Sequence, residues 1–201
     1  MPLTIGLINA SLPSYFPQKH GVFDACQNWL VDLAKARGAR VVVAETTPMN
    51  GTEARQAVAD VQAKGADFLL LLHGGFTMGD VAREIARAPL PMGVWATPEP
   101  TLIDDIQLNN FVSLNMSMSI ARGVRDLSCH PVQWYLGAPG EEALTRRLGQ
   151  TIRALAAKKA LDGAKIGVIG GLAMTFYNME VSADTLVRQL GVWCDHIDIH
   201  H

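Results

Sequence analysis

Cysteine is scarce in this sequence, and the few cysteines are far apart. Cys26, Cys129 and Cys194 are the three cysteines among 201 residues. Their odd number and wide spacing indicate neither a Cys-x-x-Cys zinc site nor a dithiol redox motif. We therefore expect a protein of the reducing cytoplasm.

Long apolar runs and clusters of positive charge are also missing. No apolar run approaches the roughly 20 residues that a membrane-spanning helix needs, and no basic residues precede the first apolar stretch as they would in a secretory signal. The formal net charge is -2 without a cluster of Lys and Arg, which disfavours nucleic acid and anionic membranes as partners. With 49% hydrophobic and 18% charged residues, the chain has an ordinary globular composition.

Short apolar runs alternate with segments of helical periodicity along the first ~160 residues. The runs that predict strands are 3–8, 40–44, 67–72, 92–96 and 132–136. The segments that predict helices are 21–37, 52–64, 77–88, 107–124 and 141–161. Strict β-α alternation predicts a parallel sheet with helices on both faces. The fold class is thus α/β, a doubly wound, flavodoxin-like sheet for which analogy gives the strand order 2-1-3-4-5.

A further β-α-β pattern follows, with strands at 165–169 and 193–199 around a helix at 178–190. Two strands and one helix cannot bury their own apolar faces. We therefore predict one domain over 1–162 and the start of a second, truncated α/β domain over 163–201. The alternative is that this segment extends the first sheet. Along the last strand His196, Asp198 and His200 share one face, which we interpret as an alternating strand in preference to a metal site.

Ligands of open α/β sheets bind at the carboxyl ends of the strands, so the loops there carry the candidate residues. The first loop, 9–20, contains Tyr15 but lacks the composition of a phosphate-binding loop. In the third loop His73 stands at the strand end, and Gly74 and Gly75 allow close backbone approach by a ligand. For the first loop, the alternative is a surface loop packed by its own aromatic residues. For the third loop, it is a tight turn with a hydrogen-bonded histidine, in which Thr77 caps the next helix.

The fourth loop and the helix after it supply further polar candidates. Trp95 and Glu99, the latter held between two prolines, together offer an aromatic face and a carboxylate, which suits a sugar. A rigid exposed turn is the alternative. The following helix contains several polar residues that favour hydrogen bonds to loops or ligand, or else form a solvated face: Asn109, Asn110, Asn115, Ser117 and Ser119.

Three segments resemble the arabinose isomerases and their fucose isomerase-like relatives. They are Asn109–Met116 with its Asn-Phe-Val-Ser-Leu-Asn-Met run, Leu72–Phe76, and Trp95–Pro100. The glycine-bearing strand near residue 167 is similar as well. The resemblance runs along nearly the whole chain.

This resemblance implies the amino-terminal portion of a metal-dependent aldose–ketose isomerase that works as a homo-oligomer, in some relatives on acidic or sulfonated sugars. It implies Mn2+ as cofactor, with ligands beyond residue 201, so this chain alone should be inactive. The expected contribution of the chain is a set of substrate-covering loops. Loop position and chemistry give the substrate-binding candidates as His73, Gly74, Gly75, Trp95, Glu99, Tyr15 and Asn115. The alternative function is a stand-alone sugar-binding module without catalysis.

Overall fold

The computed structural model describes most of the chain, namely residues 2–16, 19–99, 107–127, 131–171, 175, 178 and 182–197. Contacts divide the chain into two compact units, 2–153 and 154–201. The predicted boundary at residue 162 and the truncation of a second domain stay predictions. No helix within the described ranges is long and apolar enough to cross a membrane.

The first unit is a five-stranded parallel sheet with helices between its strands. The strands are β1 (Thr4–Ala10), β2 (Arg40–Val43), β3 (Phe68–His73), β4 (Met92–Ala96) and β5 (Val132–Leu136). The helices are α1 (Val22–Lys35), α2 (Gly51–Ala63), α3 (Gly79–Ala86), α4 (Asn110–Val124) and α5 (Glu142–Leu161), the last of which continues into the second unit. The strands are ordered β2-β1-β3-β4-β5. The doubly wound sheet predicted from the sequence is confirmed.

Apolar residues cover both faces of the sheet. On one face, residues such as Ile8 and Leu71 form a buried cluster with α2, α3 and α4. On the other face, the Tyr135 hydroxyl donates to Oγ1 of Thr151 in α5, and the ring of Trp29 in α1 packs on the ring of Trp95 in β4. β3 is buried along its whole length, which explains its continuous apolar run.

Two of these helices, α3 and α4, begin two and three residues later than the sequence predicts. α3 begins at Gly79 with Met78 as its N-cap, so Thr77 does not cap it. α4 begins at Asn110 because Asn109 adopts a left-handed conformation. Phe111 of α4 is 59% exposed, since polar residues of α4 occupy the face toward the loops.

The second unit contains a separate two-stranded parallel sheet. β6 (Lys165–Ile169) pairs with β7 (Trp193–Ile197), and α6 (Ala183–Leu190) lies between them in sequence. Ser182 caps α6 by accepting from the N–H of Thr185, so this helix too is shorter than predicted. Apolar side chains of both strands are exposed, with Ile169 at 72%. Asp198 and His200 of the predicted alternating face lie outside the described residues.

Candidate functional site

Two loops meet at the carboxyl edge of the sheet, where the strand order reverses between β1 and β3. The Leu12 N–H donates to the carbonyl oxygen of Phe76 over 2.8 Å. The ring centroids of Tyr15 and Phe76 are 5.8 Å apart. Ligands of open α/β sheets bind in the crevice at such a reversal. We call residues 11–16 and 74–78 the loop pair.

Gly74 and Gly75 allow the loop pair and α1 to approach closely. A Cβ atom on Gly74 would lie 2.3 Å from Cε1 of Phe23, and one on Gly75 would lie 2.3 Å from Oγ of Ser11. Both distances are far shorter than a carbon atom tolerates. Packing within the protein therefore accounts for both glycines, and their approach to a ligand stays a prediction.

We expect Gly75→Ala to lower the free energy of unfolding by about 1–2 kcal/mol, because the added methyl group overlaps the Ser11 side chain and forces the loop pair apart. Urea unfolding followed by circular dichroism measures the change. Gly123→Ala is the matched control, since this exposed helical glycine has open space around it, and alanine there should stabilise by roughly 0.5–1 kcal/mol. Equal stability of Gly75→Ala and wild type would contradict the packing explanation.

His73, the residue at the end of β3, is fully buried. Its Nδ1 lies 3.0 Å from Oγ1 of Thr77, and its Nε2 lies 2.9 Å from Oγ of Ser117. Burial lowers the pKa of His73 to about 3, so the ring is neutral at physiological pH and has one donor and one acceptor nitrogen. His73 therefore lies in a buried network of polar side chains and has no exposed surface. This agrees with the alternative in which the histidine is hydrogen-bonded within a tight turn.

The network continues along α4 through residues that share one helical face. Ser113 Oγ accepts from the N–H of Thr77 at 3.1 Å and lies 3.4 Å from the Gly75 carbonyl oxygen. Asn110, Ser113 and Ser117 are all buried. Sequence reasoning named Asn110 and Ser117 but missed Ser113. The spacing of three and four residues between them was the available signal.

Trp95 lies in the core between the sheet and α1. The side chain is fully buried, its Nε1 donates to the carbonyl oxygen of Gly137 over 3.0 Å, and its ring lies 5.4 Å from that of Trp29. An aromatic platform for a sugar needs an exposed face. In this structure, the indole supports the fold, and its contact with a substrate stays a prediction.

Glu99 is an exposed residue whose carboxylate binds the start of α4. Its two oxygens accept from the N–H of Leu108 at 3.0 Å and from the N–H of Asn110 at 2.6 Å. A carboxylate at a helix amino terminus is stabilised by the helix dipole. Glu99 therefore has a structural partner already, and its binding of substrate stays a prediction.

Besides the exposed Glu99, the structure leaves two candidates accessible, Tyr15 and Asn115. Tyr15 is half-buried in the loop pair, and Asn115 is exposed on α4. The seven candidates thus separate into buried residues that hold the loops, namely His73, Gly74, Gly75 and Trp95, a helix-binding carboxylate, and these two surface side chains.

Metal and nucleophile chemistry find little support in the described part of the chain. No group of three His, Cys, Asp or Glu side chains there is arranged to hold a metal ion, so these residues do not fit a manganese site. Burial raises the pKa of the Cys26 thiol to about 12, which keeps it protonated as a core residue.

Comparison with known proteins finds sugar isomerases. The chain is 27% identical over 161 residues to the sulfoquinovose isomerases of Priestia aryabhattai and Priestia megaterium, which covers 79% of this chain and 35% of each relative. It is 28% identical over 116 residues to the sulfoquinovose isomerase of Alkalicoccus urumqiensis, covering 58% of this chain and 25% of that protein. No protein-family model matches.

This similarity supports a sugar isomerase relationship at a coarse level. It does not single out the arabinose and fucose isomerase-like group that the sequence resembles. The chain spans about a third of the length of the two Priestia relatives that it matches.

Proposed function

We propose that this chain forms the amino-terminal α/β portion of a metal-dependent aldose–ketose isomerase and contributes loops that cover the sugar. The similarity to sulfoquinovose isomerases over 161 residues carries this proposal. The carboxyl edge of the sheet, where the loop pair lies, supports it because ligands of this fold bind there.

The chemistry of the exposed edge suits a polyhydroxy ligand. Tyr15 and the exposed side chains of Phe16 and Phe111 offer apolar rings to the C–H faces of a sugar. Asn109 and Asn115 offer amides to its hydroxyl groups. The sulfonated hexose sulfoquinovose, the substrate that the relatives' name implies, and ordinary aldoses are the candidate substrates.

In this proposal, the proton transfer takes place in another part of the intact enzyme. Within the described residues no group is arranged to hold manganese, and in this proposal its ligands lie mostly beyond residue 201. A lid built by this chain excludes water and recognises distal groups of the sugar. We further propose that the enzyme is a cytoplasmic homo-oligomer in which the lid and reaction centre meet.

The second unit supports the same proposal. Two strands leave an apolar surface that they cannot cover themselves, with Trp193 54% and Ile197 50% exposed. We propose that β6, α6 and β7 belong to a larger α/β domain, which further strands complete.

We expect this chain alone to show no isomerase activity with Mn2+ on a sugar panel of sulfoquinovose, D-glucose, L-arabinose and L-fucose. Product formation is measured by NMR of the anomeric protons. The longer reading frame, if it continues past codon 201, is the matched comparison and should convert at least one sugar. Turnover by the 201-residue chain would refute the proposed division of labour.

Binding is tested separately from turnover. Titration of the 15N-labelled chain with the sugar panel should shift amide signals of residues 11–16, 74–78 and 107–112, with dissociation constants in the millimolar range. If no sugar of the panel binds, the proposal that this chain covers the substrate is wrong.

A further inference from the structure

Asn109 has an unusual backbone conformation at the start of α4. Its φ is 57° and its ψ is 34°, in the left-handed region, whereas a residue before a helix usually has extended backbone. Asparagine tolerates this conformation better than other residues except glycine. The half-buried Asn109 side chain forms no capping hydrogen bond with α4, and no other partner appears within the described residues.

Glu99 fixes this turn from both sides. Its carboxylate oxygens bind the N–H groups of Leu108 and Asn110, the two neighbours of Asn109 in the chain. This two-point contact sets the direction in which the Asn109 side chain leaves the backbone. Glu99 is therefore a positioning residue for Asn109, which explains why a carboxylate stands at this exposed edge.

Asn110 gives an independent sign of a missing hydrogen-bond donor. It has no exposed surface, and its Nδ2 donates to Oγ1 of Thr97 at 3.0 Å. Its Oδ1 has no hydrogen-bond partner. This oxygen is a buried acceptor, and a buried acceptor needs a donor. A buried water molecule would supply this donor, and a sugar hydroxyl would do so if the edge opened to admit it.

We propose that Asn109 determines specificity for a hydroxyl group of the sugar. A side-chain amide and a sugar hydroxyl can each donate and accept, so they can pair in both directions, whereas a sulfonate can only accept from the amide N–H. In this proposal, Asn109 binds the hydroxyl-bearing part of the sugar, next in the chain to Asn110, whose Oδ1 lacks a donor. This inference rests on the proposed function, because it assumes that a sugar binds this edge.

The deciding variant is Asn109→Gly. Glycine adopts positive φ without strain, so the fold should be kept and the melting temperature should stay equal or rise. Loss of one hydrogen bond should weaken binding of the tightest sugar of the panel about three- to tenfold. Gly123→Ala, at an exposed position of the same helix with open space around it, is the control and should leave affinity unchanged.

A series of monodeoxy analogues of D-glucose identifies the hydroxyl concerned. One analogue should bind the wild type more weakly than D-glucose does. The same analogue and D-glucose should bind Asn109→Gly with equal affinity. Equal affinities of wild type and Asn109→Gly for sugars that do bind would overturn the inference while leaving the proposed function intact. A wild type that binds no sugar of the panel would overturn both.

The positioning role of Glu99 has its own readout. Glu99→Gln should weaken sugar binding in the wild type but have no further effect in Asn109→Gly, because the residue acts through Asn109. Equal losses in both backgrounds would show that Glu99 touches the sugar itself and would overturn the positioning assignment.

Discussion

Acidification is expected to destabilise this protein through His73, by an amount that approaches about 1.4 kcal/mol per pH unit below pH 6.5 and reaches about 3 kcal/mol near pH 4.5. Burial holds the pKa of His73 at about 3 in the folded chain, whereas the unfolded chain takes up this proton near pH 6.5. Below that pH the unfolded state therefore binds more protons. The stability that is fully present above pH 6.5 is lost progressively as the pH falls toward 3.

Urea unfolding of wild type and His73→Gln between pH 7.5 and 4.5 isolates this contribution, because the carboxylates titrate in both proteins. The difference between the two curves should shrink steadily below pH 6.5. As a direct check, the NMR ring-proton signals of His73 should not move between pH 7 and pH 5 in the folded wild type. A histidine that titrates near pH 6 would show that the ring is solvated and that the Thr77 and Ser117 contacts do not hold.

The sheet could be predicted because each strand carries its own local signal. β4, β5 and β6 begin and end where the apolar runs do, since Pro91 and Pro131 precede two of them and Gly137 and Gly170 directly follow two. Proline and glycine interrupt regular structure through their own backbone restrictions or freedom. Such limits can be read from neighbouring residues alone.

The polar contacts at the strand ends could not be predicted in this way. His73 bonds Ser117, which is 44 residues away, and Trp95 bonds Gly137, which is 42 residues away. The sequence places such side chains at the carboxyl edge but does not show whether they point outward to a ligand or inward to a partner. For His73 a buried serine of α4, Ser117, decides that, and only packing reveals it.

The start of α4 shows the same limit in the backbone. Periodicity predicts a helix from residue 107 because Leu108 fits the apolar register, and Leu108 is indeed buried. The helix begins three residues later because Glu99 binds the N–H groups on both sides of Asn109. A contact across this loop thus overrides the local pattern, and it produces the turn on which the Asn109 hypothesis depends.

Trp95→Ala is expected to lower the free energy of unfolding by about 3–5 kcal/mol, because it removes a fully buried indole and leaves a cavity beside Trp29. Such a loss is a large part of the stability of a domain of this size. Urea unfolding measures it, and near-ultraviolet circular dichroism reports the loss of the packed indole pair. A change below about 1 kcal/mol would mean that the site collapses around the alanine or that the indole is not buried in solution.

Trp95→Phe separates the structural role of this residue from the role in sugar binding that its sequence position indicates. Phenylalanine fills much of the space but cannot donate to the Gly137 carbonyl, so the cost should be about 1–3 kcal/mol. If Trp95 only supports the fold, the folded fraction binds each sugar of the panel with wild-type affinity. If Trp95 touches the sugar, the folded fraction binds the sugar more weakly than the wild type does. Since its ring has no exposed surface, the first result is the expected one, and the second would require the edge of the sheet to open when the sugar binds.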